Sequence, residues 1–457
     1  MIAVPTLTID EFGRKLRSRE ITSEQITEEC LRQIDAENPR LNAFILIMAD
    51  QARRQAREAD RELAAGRDRG TLHGVPISIK DLFDVCGTPT TAASRVRENH
   101  VVERDAPAIA HLRLAGAVFI GKTNLHEFAF GTTNEDSAVG PARNPHDPAR
   151  SPGGSSGGSA ASIMSGMALA TVGTDTGGSI RIPAAACGAV GLKPTYDEVS
   201  TDGVVPLSRA LDHVGPLARS VTDAWIVYRA LLGDATPRGL AALPARGLRL
   251  AVPRAYFCES LDDDVRARFE EALEALRAAG VSVGETNIPH AKDIGPIYLH
   301  IVLADAAAYH ATTLESMPER YTAPVRLRLE MGRYVLAEDY VRAMRGRELL
   351  KREVDAALAE HDALVLPTLP IPAPPLGVDS VKVGPTQEPV RNIMLRLTQL
   401  FNLTGHPAIA LPCGYTSDGL PCSLQLVGAR RQTEPLLRVA LACEAHIGRG
   451  RSGALGE

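Results

Sequence analysis

Short, almost wholly apolar runs recur along the whole chain, each too short for a buried helix and too apolar for a surface loop. They stand at residues 77–80, 117–120, 167–173, 248–252, 281–283, 363–366, 405–411 and 424–428. Longer stretches with apolar residues at helical spacing separate them. This alternation predicts an α/β fold, with a mixed central β-sheet covered by helices on both faces. No shift in composition marks a boundary, so the expectation is a single domain over residues 1–457. The Pro-rich stretch 367–375 reads as a rigid loop, because sheet-type sequence resumes beyond it.

The bulk composition excludes several classes. The net charge of −5 offers no basic surface for nucleic acid. No run of roughly 18 apolar residues is present, so no membrane span is expected. Asp10 and Glu11 interrupt the start of the chain, which does not read as a secretory signal. The seven cysteines are scattered and form no Cys-x-x-Cys pair, which suits reduced, buried thiols in a cytoplasmic protein. No compact metal-ligand cluster appears, and neither a metal nor an organic cofactor is expected.

Local signals place the elements. Thr8 with Glu11, and Thr22 or Ser23, suit the starts of two helices. Asn38-Pro39 is expected to break the second, and a third is expected over residues 44–64. Residues 124–140 read as a helix and a loop, and residues 159–166 as a helix. A helix over residues 179–186 would carry Pro183 in its first turn and turn its positive end toward Ser179. Residues 212–232 read as a turn and a helix with Trp225 on its apolar face, and residues 263–279 as an amphipathic helix. Residues 295–360 are mostly helical, a last helix covers 434–446, and 449–457 read as a frayed end.

The chemistry concentrates in residues 151–195. This tract holds two glycine-flanked serines, Ser155 and Ser179. The N–H groups of Thr176, Gly177, Gly178 and Ser179 form a run able to converge on one oxygen. Lys80 closes an apolar strand. It either snorkels to solvent or stays buried, and burial would make it a neutral base able to take a serine proton. On the residues alone, Ser155 and Ser179 remain equal candidates for that serine. Two other patterns are set aside. Residues 116–123 match a phosphate-loop string, but its inner residues are Ala, Val, Phe and Ile, which is a strand. Ser155 and Ser156 match Gly-x-Ser-x-Gly loosely, without the hydrophobic strand that a nucleophile elbow needs.

The tract Gly-Gly-Ser-Ser-Gly-Gly-Ser at 153–159, with Gly-Thr-Asp-Thr-Gly-Gly-Ser-Ile-Arg-Ile-Pro at 173–183, resembles the amidase signature family. The resemblance extends to Gly-Val-Pro-Ile-Ser-Ile-Lys-Asp at 74–81, Gly-Lys-Thr-Asn at 121–124, Asp-His-Val-Gly-Pro at 212–216 and Asn-Leu-Thr-Gly-His-Pro-Ala at 402–408. It implies a Ser-cisSer-Lys triad: Ser179 as nucleophile, Ser155 after a cis peptide bond as bridge, and Lys80 as base. It also implies an oxyanion hole from Thr176, Gly177, Gly178 and Ser179, braced by Ser156, Thr174, Asp175 and Arg181. The expected activity is hydrolysis of a small-molecule amide, ester or carbamate through an acyl-enzyme, urethanase activity included, by a monomer or homodimer without nucleic-acid or membrane partners. The alternative within the same family is the glutamine-hydrolysing component of a tRNA-dependent amidotransferase, in which Arg328 would meet a substrate carboxylate.

The resemblance also divides the chain: a helical segment over 7–65, a catalytic core over 70–230, a variable pocket region over 290–360, and a closing sheet and helix over 361–447. Substrate is expected to be set by residues 125–137, 197–210 and 295–345. Phe128, Phe130 and Gly131 are the candidates for the acyl-side wall, with plain core as the other reading of the two phenylalanines. Arg209 and the pair Asp197-Glu198 depart from the family pattern, and whether they shape the pocket mouth is left open by the sequence.

Overall fold

Burial on both faces explains why the apolar runs are continuous rather than alternating. In the computed structural model, which describes residues 4–448, every residue of most central strands is buried. The strands in chain order are β1 (Phe44–Ile47), β2 (Pro76–Lys80), β3 (Val118–Thr123), β4 (Ala170–Asp175), β5 (Val190–Lys193), β6 (His213–Ala218), β7 (Arg249–Pro253), β8 (Ser282–Thr286) and β9 (Ala363–Pro367). They are followed by β10 (Ser380–Val383), β11 (Thr386–Pro389), β12 (Ala408–Tyr415) and β13 (Pro421–Val427). Eleven of them form one sheet in the order β1-β3-β2-β4-β6-β5-β12-β13-β9-β7-β8, and β10 pairs with β11 in a separate hairpin. The sheet is mixed. β2 runs parallel to β3 and β4, and β7 runs parallel to β8 and β9. The remaining neighbours are antiparallel. The α/β expectation therefore holds, with one large mixed sheet and one connected core among the described residues.

Several local expectations need correction. The helix Ser23–Leu41 runs through Pro39 and ends at Asn42, whose φ is 48°. Pro39 sits in the last turn, where few further backbone bonds depend on it, and the buried Leu41 rewards one more turn. Residues 44–47 are strand β1, and the helix begins only at Ala49. Antiparallel pairing with β3 decides this short apolar segment. Residues 124–140 contain no α-helix, only a single turn at Glu127–Ala129 with Phe128 at a φ of 50°. Residues 213–218 are a strand before the helix Val221–Leu231; Gly215 and Pro216 hid its period. Six cysteines are buried as expected, but Cys86 is exposed. The end segment 449–457 lies outside the described residues. Among those described, no helix is long and apolar enough to cross a membrane.

The lysine of the rejected phosphate-loop string has a structural place. Lys122 is buried in β3, 2.6 Å from the Asp81 carboxylate, and also donates to the Pro89 carbonyl at 2.7 Å. Burial raises the Asp81 carboxyl and lowers the Lys122 ammonium, and each charge partly offsets the penalty on the other. Asp81→Ala would strand the lysine in the core. The expected loss is about 3–5 kcal/mol of stability, read as a lower midpoint in urea unfolding.

Candidate active site

Lys80 is delivered to the middle of the protein by β2, between β3 and β4. Its Nζ donates to Ser155 Oγ at 2.7 Å and to Thr174 Oγ1, on β4, at 2.8 Å. The side chain is fully buried, so the snorkelling alternative is excluded. Burial lowers its ammonium to about 7, against the opposing pull of Asp175 and Asp212. The fold therefore holds a lysine close to neutrality with a serine hydroxyl on its nitrogen.

Ser155 follows a cis Gly154–Ser155 peptide bond. Its neighbour Ser156 donates its backbone N–H to the Ser179 carbonyl at 3.3 Å and its hydroxyl to the Thr174 carbonyl at 3.4 Å. These bonds lay the cis turn beside the loop that follows β4. Lys80 and Ser155 are both 0% exposed, whereas Ser179 is 6% exposed. Of the three groups, Ser179 is thus the only one that keeps any exposure.

The loop carries unused donors. The N–H groups of Thr176, Gly177, Gly178 and Ser179 have no acceptor among the described residues. Gly178 adopts a φ of +144°, and a Cβ there would lie 2.3 Å from Thr398 Oγ1. Only glycine meets both demands. Thr398 in turn donates its hydroxyl to the Gly177 carbonyl at 2.6 Å, which fixes that peptide's orientation. The helix after the loop is Arg181–Cys187, so Ser179 precedes it by two residues. Its first donors do not face the loop interior. The N–H groups of Ile180 and Arg181 are taken by Asp175 Oδ2 at 3.1 and 3.3 Å. The expected helix-dipole contribution is therefore replaced by free loop N–H groups.

Asp175 and Arg181 form a fully buried ion pair with a 3.1 Å contact. Burial acts to raise the Asp175 carboxyl, but the charge and hydrogen bonds of Arg181 override it and hold the group well below the usual carboxylate range. Arg181 also donates to Gln425 Oε1 at 2.9 Å, the Thr398 carbonyl at 3.0 Å and Asn402 Oδ1 at 2.8 Å. On the other side, Thr176 donates its hydroxyl to Asp212 at 2.6 Å. Burial pushes the Asp212 carboxyl up to about 6.

The candidates for substrate contact divide. Phe128 is buried against His310 and Tyr321, at ring distances of 4.3 and 5.5 Å, and belongs to the core. Phe130 is also buried and carries the guanidinium groups of Arg328 and Arg391 over its ring at 5.6 and 5.8 Å. Gly131 lines a cavity of about 190 Å³ with Thr132 and Thr133. A Cβ on Gly154 would meet the backbone of those threonines at 2.8 Å, so this cavity ends beside the cis turn. Arg209 is exposed and lines a separate cavity with Asp305 and Tyr340. Glu198 is not at a mouth. It accepts from Tyr228 at 3.0 Å and from Thr433, tying its loop to the last helix, while Asp197 is exposed. Arg328 donates to the Phe130 carbonyl and lies 3.5 Å from Asp136, so its fork is already engaged.

Sequence reasoning assigned no role to Thr398, Asn402, Asp212, Tyr298 or Arg391. Asn402 and Asp212 lay inside motifs that were legible, but their partners are far away in the chain. Asn402 donates its amide to Asp175 Oδ1 at 2.8 Å while accepting from Arg181. Asn402→Ala would remove both bonds from the buried pair. It is expected to lower stability by about 1–3 kcal/mol in urea unfolding.

The architecture can be compared with known proteins. A family model described as Amidase matches residues 25–437. An amidase from Pseudomonas putida is 40% identical, with 97% of each chain covered. The amidotransferase component for glutamyl-tRNA(Gln) from Koribacter versatilis (strain Ellin345) is 37% identical over 96% of this chain and 98% of its own. A solved amidase structure superposes with a TM-score of 0.92 at 39% identity, covering 97% of this chain and all of its own. The chain therefore belongs to the amidase family, the amidase signature hydrolases that act on carbonyl C–N bonds.

Proposed function

We propose that this chain is a stand-alone amidohydrolase in which Ser179 is the nucleophile, Ser155 the proton bridge and Lys80 the base. The observation that carries this reading is the 2.7 Å contact of a fully buried, near-neutral Lys80 with Ser155, beside a serine that opens to solvent. Once Lys80 is neutral, its lone pair accepts the Ser155 proton across that contact. Ser155 then takes the proton of Ser179, whose Oγ attacks the substrate carbonyl carbon. The negative oxygen that forms is met by the N–H groups of Thr176 to Ser179. Collapse of this intermediate breaks the C–N bond, and the proton held at Lys80 returns through Ser155 to the leaving nitrogen. Water then releases the acyl group from Ser179 by the same relay. In this reading Thr174 accepts from Lys80 Nζ and orients it, while Asp175, Arg181 and Ser156 hold the geometry of the loop.

The same steps apply to a carbamate or an ester, since each passes through a tetrahedral intermediate at the same oxygen. Carbamate and ester turnover are therefore proposed as secondary activities. A second reading, glutamine hydrolysis within a tRNA-dependent amidotransferase, draws on relatives named as components of that enzyme. It is weakened by Arg328, whose guanidinium is committed to Phe130 and Asp136. A panel of an aliphatic amide, an anilide, an aryl carbamate, an aryl ester and free glutamine separates the readings. Amide turnover by the purified chain alone supports the first. Turnover of glutamine only, or only with added partner proteins, supports the second.

Ser179→Ala is expected to abolish turnover while leaving the unfolding midpoint close to that of the parent. A folded Ser179→Ala protein with full activity would remove the nucleophile assignment. Lys80→Ala is expected to lower the rate by roughly 10²–10⁴-fold, as loss of a general base does. The pH profile carries a sign. The reactive form of Lys80 is the deprotonated one, and its ammonium titrates at about 7. Activity should therefore rise through pH 7 to a plateau above it, and fall about tenfold per pH unit well below it. A profile that is flat from pH 5 to 9 would remove Lys80 as the base.

A further inference from the structure

The largest of the cavities described, about 460 Å³, lies against the loop of the candidate oxyanion hole. Its wall includes Tyr298, Leu395, Arg391, Arg396, Gln399 and Glu388. A Cβ on Gly177 would lie 2.5 Å from the Tyr298 hydroxyl and 2.9 Å from Leu395 Cδ2, so the inner wall and the loop are in direct contact.

Two guanidinium groups in this wall lack full partners. Arg391 makes no hydrogen bond and no ion pair among the described residues, and its Nε is buried without an acceptor. Arg396 stacks on Tyr256 at 3.9 Å, donates one terminal nitrogen to the Tyr256 carbonyl at 2.9 Å and lies 4.0 Å from the Glu259 carboxylate, so the group without any counter-charge is Arg391. The Arg396 Nε is also buried without an acceptor. Glu388 is the one carboxylate of this wall, and it forms no ion pair with either arginine. Glu135, Asp136 and Asp379 line the smaller cavity that Arg391 also reaches, and none of them forms an ion pair with it; Asp136 is engaged by His126 at 3.0 Å and by Arg328, and Glu135 by the Gly377 N–H. A guanidinium stays charged at any ordinary pH, and leaving one without a counter-charge in a concave site is unfavourable. Its planar fork matches a carboxylate.

We propose that this cavity is a carboxylate-binding subsite in which Arg391, assisted by Arg396, holds an anionic group of the substrate. This rests on the amide-hydrolysis reading and narrows it: the preferred substrate is an amide that carries a carboxylate several bonds from the scissile carbonyl, such as the monoamide of a dicarboxylic acid. The neutral amide of the same length leaves Arg391 without its partner and is the poorer substrate.

The test compares succinamate, glutaramate and adipamate with the neutral amides of equal chain length, by kcat/KM on the full chain. At one length or more, the anionic amide should be favoured by about tenfold or more. Arg391→Gln should lower the ratio of anionic to neutral kcat/KM about tenfold, and Arg391→Lys should restore part of it. No anionic preference in the parent, or a ratio unchanged in Arg391→Gln, overturns the proposal. A second measurement is independent of turnover. Calorimetric titration of the Ser179→Ala variant with succinate, glutarate and adipate should give binding that is lost in Ser179→Ala/Arg391→Gln. If no amide of either kind is hydrolysed, the amide reading falls, and this titration alone decides the subsite: Arg391-dependent binding sustains it, and absence of binding removes it.

Discussion

The buried pair of Asp175 and Arg181 is the constraint on which the remaining geometry depends. Asp175 ends β4, and Arg181 opens the helix that follows, so the pair closes the glycine loop from both sides. An ion pair taken wholly out of water is tolerated only when every remaining donor and acceptor finds a partner. Here Gln425, Thr398 and Asn402 complete the shell of Arg181. Those residues come from the C-terminal part of the chain, so the pair locks two remote halves of the sheet around one loop. The four loop N–H groups stay free because their flanking carboxylate is occupied elsewhere.

Charge is managed differently at Lys80. It has no carboxylate in contact, only hydroxyls, with Asp175 and Asp212 acting at longer range. The same burial that lowers the lysine raises Asp212, so the two groups titrate close to one another. By contrast Lys122, on the neighbouring β3, touches Asp81 directly. Two lysines on adjacent strands thus have opposite surroundings, and only the one lined by hydroxyls is poised to exchange a proton near neutrality.

Much of this was legible in the sequence because the signals were local. The Thr8 and Thr22 caps and the strand at 77–80 all act over a few residues, and each was found where expected. Burial of Lys80 was not decidable, because it depends on β3 and β4 covering β2. Strand β1 was missed for a similar reason: its pairing partner β3 lies far along the chain, beyond two helices and another strand. The helix starts at Arg181 and not at Ser179: the chain leaves Gly178 at a φ of +144°, outside helical space, and the N–H groups of Ile180 and Arg181 are capped by Asp175. The substrate wall was least legible. Tyr298 and Leu395 come from segments without a motif, and only the fold brings them to Gly177.

The sheet order gives the site a place in time as well as in space. β12 and β13 are inserted between β5 and β9, although they are the last strands of the chain. They and the turn before them bring Asn402 and Gln425 to Arg181. On a ribosome, β2 and β4 emerge long before these partners exist. Arg181 must therefore wait, its charge unshielded by those amides, until the chain is nearly complete. A nascent polypeptide that already contains Lys80, Ser155 and Ser179 still lacks the two amides that finish the shell of Arg181, so the loop between Asp175 and Arg181 is completed by the strands and turn that emerge last.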